Sequence, residues 1–134
     1  MSQKKYTITV TEEQLRTIRV ACEWYERTLM GQFFDLCTEI SFMRSHEREQ
    51  PDFDTQITRR NNAQDMMDRA YRIMLPLGAE QKTDVMMIAE DLWTSIRHFL
   101  WLQEPEPKSH IGNDAFPPLL LSGQPAPEIR RADT

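Results

Sequence analysis

The sequence predicts a mainly α fold, with a long N-terminal helix, two further helices, and a small antiparallel β element built from residues 6–10 and the C-terminal tail. Three observations predict it. An apolar stripe running from Leu15 to Met43 advances in steps of three or four; a β-branched, alternating run precedes it; and six of the eight prolines fall after Gln103. The chain has 134 residues, 40% of them hydrophobic and 28% charged. That is the size and balance of a single domain, 1–134, whose core needs neither metal nor disulfide.

Taken in order, Tyr6-Thr-Ile-Thr-Val10 is aromatic and β-branched with period two, which predicts one short strand. Thr11 and Gln14 frame a capping box, and a helix over about 11–44 follows. Leu15, Ile18, Cys22, Tyr25, Leu29, Phe33, Leu36, Ile40 and Met43 form its stripe. Gly31 falls inside it, where glycine costs about 1 kcal/mol relative to alanine. Polar residues from Arg44 to Asp54, with Pro51 among them, predict an exposed connection. A second helix is expected over about 54–75, with Ile57, Ala63, Met67, Ala70, Tyr71 and Met74 facing inward, ended by Pro76-Leu-Gly78. Its first two turns, around Arg59-Arg-Asn-Asn62, are weak helix formers. Thr83 or Asp84 caps a third helix over about 83–102, with a stripe of Val85, Ile88, Ala89, Leu92, Ile96, Phe99 and Leu100. The proline-rich tail, 103–134, is expected to be extended and docked, with Leu119-Leu-Leu121 and Glu128-Ile-Arg-Arg131 as its strand candidates.

Composition excludes several function classes. A net charge of −5 argues against general nucleic-acid binding, whose signature is a basic domain. Four scattered glycines offer no phosphate-cradling loop. No run approaches the roughly 20 apolar residues of a membrane span, and the N-terminus lacks a signal-peptide core. His46, His98 and His110 have no zinc-ligand spacing, no Gly-x-Ser-x-Gly elbow occurs, and Glu90-Asp91 points in two directions on a helix. The reading is therefore non-enzymatic, with no cofactor and no metal. On one helix, Cys22 and Cys37 would stand about 22 Å apart along the axis, beyond the roughly 7 Å a disulfide allows. Free thiols in a reducing cytoplasm are the simple reading, with a disulfide between subunits as the alternative.

Two features point toward binding. Trp93, Arg97 and Trp101 are spaced i, i+4, i+8 and share one face of the third helix, with His98 and Asp91 nearby. A guanidinium between two indoles suits a flat, anionic ligand such as a nucleotide. The plainer arrangement packs both tryptophans at the core edge and pairs Arg97 with Glu90 or Glu104. The long stripe also predicts self-association: about eight turns span roughly 45 Å, more than a compact domain of this size is wide, and two shorter helices leave part of it for a second copy.

Two runs resemble a family of small proteins of tailed bacteriophages, gut phages especially. Trp24-Tyr-Glu-Arg-Thr-Leu-Met-Gly-Gln-Phe33 is similar to its Tyr-x-Arg-x-x-Met-Gly-Gln-Phe segment, and Ala89 to Trp101 to its Ala-x-Asp…Ile-Arg-His helix. The resemblance covers roughly residues 6–40 and 86–130. It adds Tyr25, Arg27 and Gln32 to Asp91, Arg97 and His98 as polar site candidates, and it implies an accessory protein acting in the host bacterial cytoplasm against host defence. On that analogy the chain is an oligomeric sponge for a nucleotide immune signal, with Trp93 and Trp101 stacking the base and Arg97, His98 and Arg27 contacting phosphate. The alternative is a module that masks a host or phage protein. A third possibility is a small hydrolase using His98 and Asp91.

Overall fold

The computed structural model describes residues 3–43, 51–75, 82–106 and 114–132. They are mainly helical: α1 (Glu12–Leu29), α2 (Phe34–Thr38), a π-helical turn (Glu39–Met43), α3 (Phe53–Met74) and α4 (Asp84–Leu102). The chain divides into two compact units. Unit 1 comprises Met1–Glu23 with Met87–Thr134, and unit 2 comprises Trp24–Met86. No described helix is long and apolar enough to cross a membrane. His46, His110 and the Pro76-Leu-Gly78 helix stop lie outside the described residues.

The helix starts follow local chemistry. At α1 the Gln14 N–H donates to the Thr11 hydroxyl at 3.1 Å while the Thr11 N–H donates to the Gln14 side chain at 2.9 Å, which is the expected capping box. Asp52 caps α3 by accepting from the Thr55 N–H at 2.7 Å, and Thr83 caps α4 by accepting from the Met86 N–H at 3.4 Å. The turns of α3 around Arg59 to Asn62 are helical throughout.

The expected helix over 11–44 is instead broken at Gly31. Gly31 has φ +76, and its N–H donates to the Thr28 carbonyl at 3.1 Å while the Gln32 N–H donates to the Arg27 carbonyl at 2.8 Å. Those two bonds close a Schellman motif, which satisfies the last carbonyls of α1 and turns the chain out of it. With the helix stopped after Leu29, the 45 Å stripe does not exist, and neither does the length argument for self-association built on it. Cys22 and Cys37 lie on different helices as free thiols.

In unit 2, α2 and the π-helical turn pack on α3. Phe33 and Cys37 are buried there. The Phe33 and Tyr71 rings meet edge to face at 6.1 Å, and the Cys37 thiol lies 3.5 Å from the Met67 sulfur. Glu26 is 4% exposed and pairs with Lys82 at 3.6 Å. α3 presents Ile57, Met67 and Tyr71 inward as expected, but Ala63, Ala70 and Met74 are exposed.

In unit 1, α4 buries Ala89, Trp93, Ile96 and Leu100. The buried stripe therefore runs through Trp93 rather than Leu92, and Val85 is 48% exposed. The expected β element is missing: among the described residues there is no strand, at 6–10 or in the tail. Tyr6 and Ile8, which share the apolar face of that segment, are 86% and 73% exposed, so no partner face covers it. A side-chain bond from Gln3 to Gln124 at 3.1 Å joins the start of the chain to the tail where a ladder was expected.

Candidate functional site

The α4 candidates form a cluster in unit 1, and the tail occupies it. Trp93 is 8% exposed, so its indole is core. The Arg97 guanidinium carbon lies 4.9 Å from the centre of the Trp93 ring, within cation–π range, and Arg97 Nε stands 3.3 Å from an Asp114 carboxylate oxygen. His98 Nδ1 donates to the Asp114 main-chain carbonyl at 3.0 Å, and its ring stacks on Trp101 with centroids 5.9 Å apart and planes at 16°. Trp101 thus has the His98 ring stacked on it. Arg97 has a partner in the tail, Asp114.

Asp91 is 4% exposed and also serves the tail. Its Oδ1 accepts from the Leu121 N–H at 2.7 Å, and its Oδ2 accepts from the Ser122 N–H at 3.0 Å and from the Ser122 hydroxyl. The Gln124 N–H in turn donates to the Ser122 hydroxyl oxygen at 3.2 Å. Burial pushes the Asp91 carboxyl up, and the three hydrogen bonds outweigh it, so it sits below its ordinary value. A carboxylate accepting three donors in a buried setting is a strong local anchor.

The other candidates lie in unit 2, at the α1 cap. Arg27 supplies a carbonyl to the Schellman motif and faces Asp35 at 3.8 Å. Gln32 is the residue that closes it. Both line a cleft of about 350 Å³, together with Gly31, Phe33, Phe34, Asp35, Gln64 and Asp68. Tyr25 is 52% exposed and is not part of that lining. Arg60 lies 4.7 Å from the centre of the Phe34 ring. Among the described residues the side chains of Gln32, Gln64 and Asp68 make no hydrogen bond or ion pair. A second cleft, about 380 Å³, is lined by Thr28, Leu29, Phe33, Tyr71, Met74 and Leu75 and is almost wholly apolar. Among the described residues no group of His, Cys, Asp and Glu is placed to hold a metal ion.

Five of the six polar candidates therefore separate into two places: Asp91, Arg97 and His98 hold the tail on α4, while Arg27 and Gln32 edge the cleft, and Tyr25 belongs to neither. Sequence reasoning missed Asp114, Ser122, Gln64, Asp68 and the buried Glu26. Glu26 falls at an unspecified position of the Trp24–Phe33 run, Gln64 and Asp68 sit in no motif, and Asp114 and Ser122 meet α4 residues that stand 16 and 31 positions earlier in the chain. Fold and site together define a helical protein with one tail-clamped helix and one polar cleft. No protein-family model, curated protein or solved structure matches the chain.

Proposed function

We propose that this chain is a non-enzymatic binding protein whose target is a polypeptide segment, held at the cleft beside the α1 cap. The observation that carries it is the set of unengaged polar side chains there. Gln32, Gln64 and Asp68 line one cleft with a half-exposed Phe34. Carboxamides offer a donor and an acceptor each, the pairing that a peptide main chain presents. The charges around the cleft balance, with Arg27 and Arg60 against Asp35 and Asp68, so a phosphate gains no net attraction.

The masking of a host or phage protein is therefore favoured over the nucleotide sponge. In the sponge reading Arg97 and His98 bind phosphate, yet both already engage Asp114, and Trp93 is buried. The tail would have to leave before a nucleotide entered. The resemblance to tailed-phage proteins supplies the setting, an accessory protein opposing host defence in the bacterial cytoplasm.

Affinity purification from bacteria, read by native mass spectrometry, tests this reading. A stoichiometric polypeptide partner that is lost on Gln64→Ala with Asp68→Ala, while the helical circular dichroism is kept, supports it. A small added mass released intact on denaturation, and lost on Arg97→Ala, would replace it with the sponge. Turnover of a nucleotide that stops on His98→Ala would replace both with the hydrolase.

A further inference from the structure

The charges at the cleft beside the α1 cap are unevenly committed. Arg27 faces Asp35 at 3.8 Å. Arg60 lies 4.7 Å from the centre of the Phe34 ring and 5.8 Å from that of Phe42, and its guanidinium donates to the Asn61 side-chain oxygen at 3.3 Å. Asp68 lines the cleft two turns further along α3, a rise of about 12 Å from Arg60. It is half-buried and makes no hydrogen bond or ion pair among the described residues. Among the side chains that line the cleft, one guanidinium therefore meets two carboxylates, and the carboxylate left over is Asp68. A carboxylate drawn partly out of water without a counter-charge is costly, and a cation that reaches it gains more than it would in bulk water.

We propose, resting on the peptide-binding reading above, that the segment held at this cleft is selected by a basic side chain, lysine or arginine, whose charged head pairs with Asp68. Asp68 is then the residue that sets specificity, while Gln32 and Gln64 serve the main chain of the segment.

The neighbours of Asp68 suit that occupant. Gln64 stands one turn before it on the same face of α3, so a carboxamide for the main chain and a carboxylate for the side chain lie side by side. Phe34, 49% exposed, gives the methylene stem of a lysine or arginine an apolar wall. A volume of about 350 Å³ is at the small end for ligand sites, room for one long side chain with its flanking backbone. An acidic side chain would meet Asp35 and Asp68 across that volume, and like-charge repulsion rejects it. The net charge of −5 draws cationic segments at longer range as well.

The test is selection of a random short-peptide library on the immobilised full chain, with the affinities of the selected peptides measured by calorimetry. Peptides whose binding is lost on Gln64→Ala are expected to share one basic residue. Replacing it by norleucine, which keeps the stem and removes the charge, is expected to weaken binding to the wild-type chain about tenfold or more. The same replacement is expected to matter less than about twofold on Asp68→Asn. Selection on Asp68→Lys is expected to enrich aspartate or glutamate at that position instead. The norleucine comparison is read on the wild-type chain, so it decides the matter even where a variant loses its helical circular dichroism. Peptides that need Gln64 but carry no basic residue overturn the proposal and leave the peptide-binding reading standing. So does a basic residue that matters equally to the wild-type chain and to Asp68→Asn. A library that yields no peptide dependent on Gln64 overturns both.

Discussion

Replacing Asp91 by asparagine isolates the bond between α4 and the tail. The carboxylate accepts three hydrogen bonds from Leu121 and Ser122 in a site where Asp91 is 4% exposed. Each hydrogen bond to a charged acceptor is worth about 1.5–3 kcal/mol. Asparagine keeps one acceptor oxygen and turns an NH₂ toward the remaining donors, so it forfeits the charge and at least one bond. About 3 kcal/mol of docking is expected to be lost, equivalent to about a hundredfold in the docking equilibrium. Leu119 adds little apolar burial at 82% exposed, and the reserve left to hold the tail is the partial burial of Leu120 and Leu121, each 37% exposed. Amide hydrogen exchange read residue by residue is the assay. Protection at Leu121 and Ser122 is expected to collapse, while the amides of Ala89, Ile96 and Leu100 hold within about threefold, since opening of the tail is local. Unchanged protection at Leu121 and Ser122 would refute the clamp. An equal loss along α4 would show that tail and helix unfold as one unit.

The same carboxylate sets a pH dependence: its folded value lies below its ordinary one, so its stabilisation is complete above the unfolded value of about 3.9. It is lost as pH falls through the lower folded value, and exchange at Leu121 is expected to report no tail release between about pH 5 and 8 and progressive release below about pH 4. Gly31→Ala puts a side chain at φ +76 and a Cβ 2.7 Å from the Tyr71 ring; urea denaturation is expected to show a loss of about 2–4 kcal/mol, and a change under about 0.5 kcal/mol would contradict the cap. Burial raises both thiols, and with Cys37 3% exposed and Cys22 partly exposed, alkylation under native conditions at pH 8 is expected to label Cys22 first; faster labelling of Cys37 would count against its packing beneath α3.

What was legible in the sequence was local. Thr11 with Gln14, and Thr83 ahead of α4, are cap signals complete within four residues, and they mark the starts of α1 and α4. Helix periodicity located α3 and α4 to within a residue or two. It misled at Gly31, where Phe33 and Leu36 continue the step of three or four although the chain has already turned. The physical reason lies outside the stripe. A glycine costs a helix about 1 kcal/mol if it stays helical, whereas here it gains two cap hydrogen bonds and lets Tyr71, forty residues on, seat against it. The run Met30-Gly-Gln-Phe33, prominent in the resemblance, is thereby accounted for as a helix stop with a buried aromatic behind it.

The polar residues of α4 make the complementary point. Asp91, Arg97 and His98 stand out because charged groups near an apolar stripe need partners, and a ligand is one way to provide them. The tail is another. Asp114 and Ser122 supply those partners from a segment whose prolines forbid helix and whose Leu119 stays exposed, so hydrogen bonds add to the partial burial of Leu120 and Leu121 in fixing it. Once Trp93 is core and Arg97, His98 and Asp91 each hold a tail group, a nucleotide at that place must compete with several intramolecular bonds at high effective concentration. Among the described residues the cleft at the α1 cap carries no such occupant, and its Gln64 and Asp68 lie in a stretch with no motif. There Gln32, Gln64 and Asp68 converge in space without pairing with one another, a property of the fold that spacing along the chain does not display.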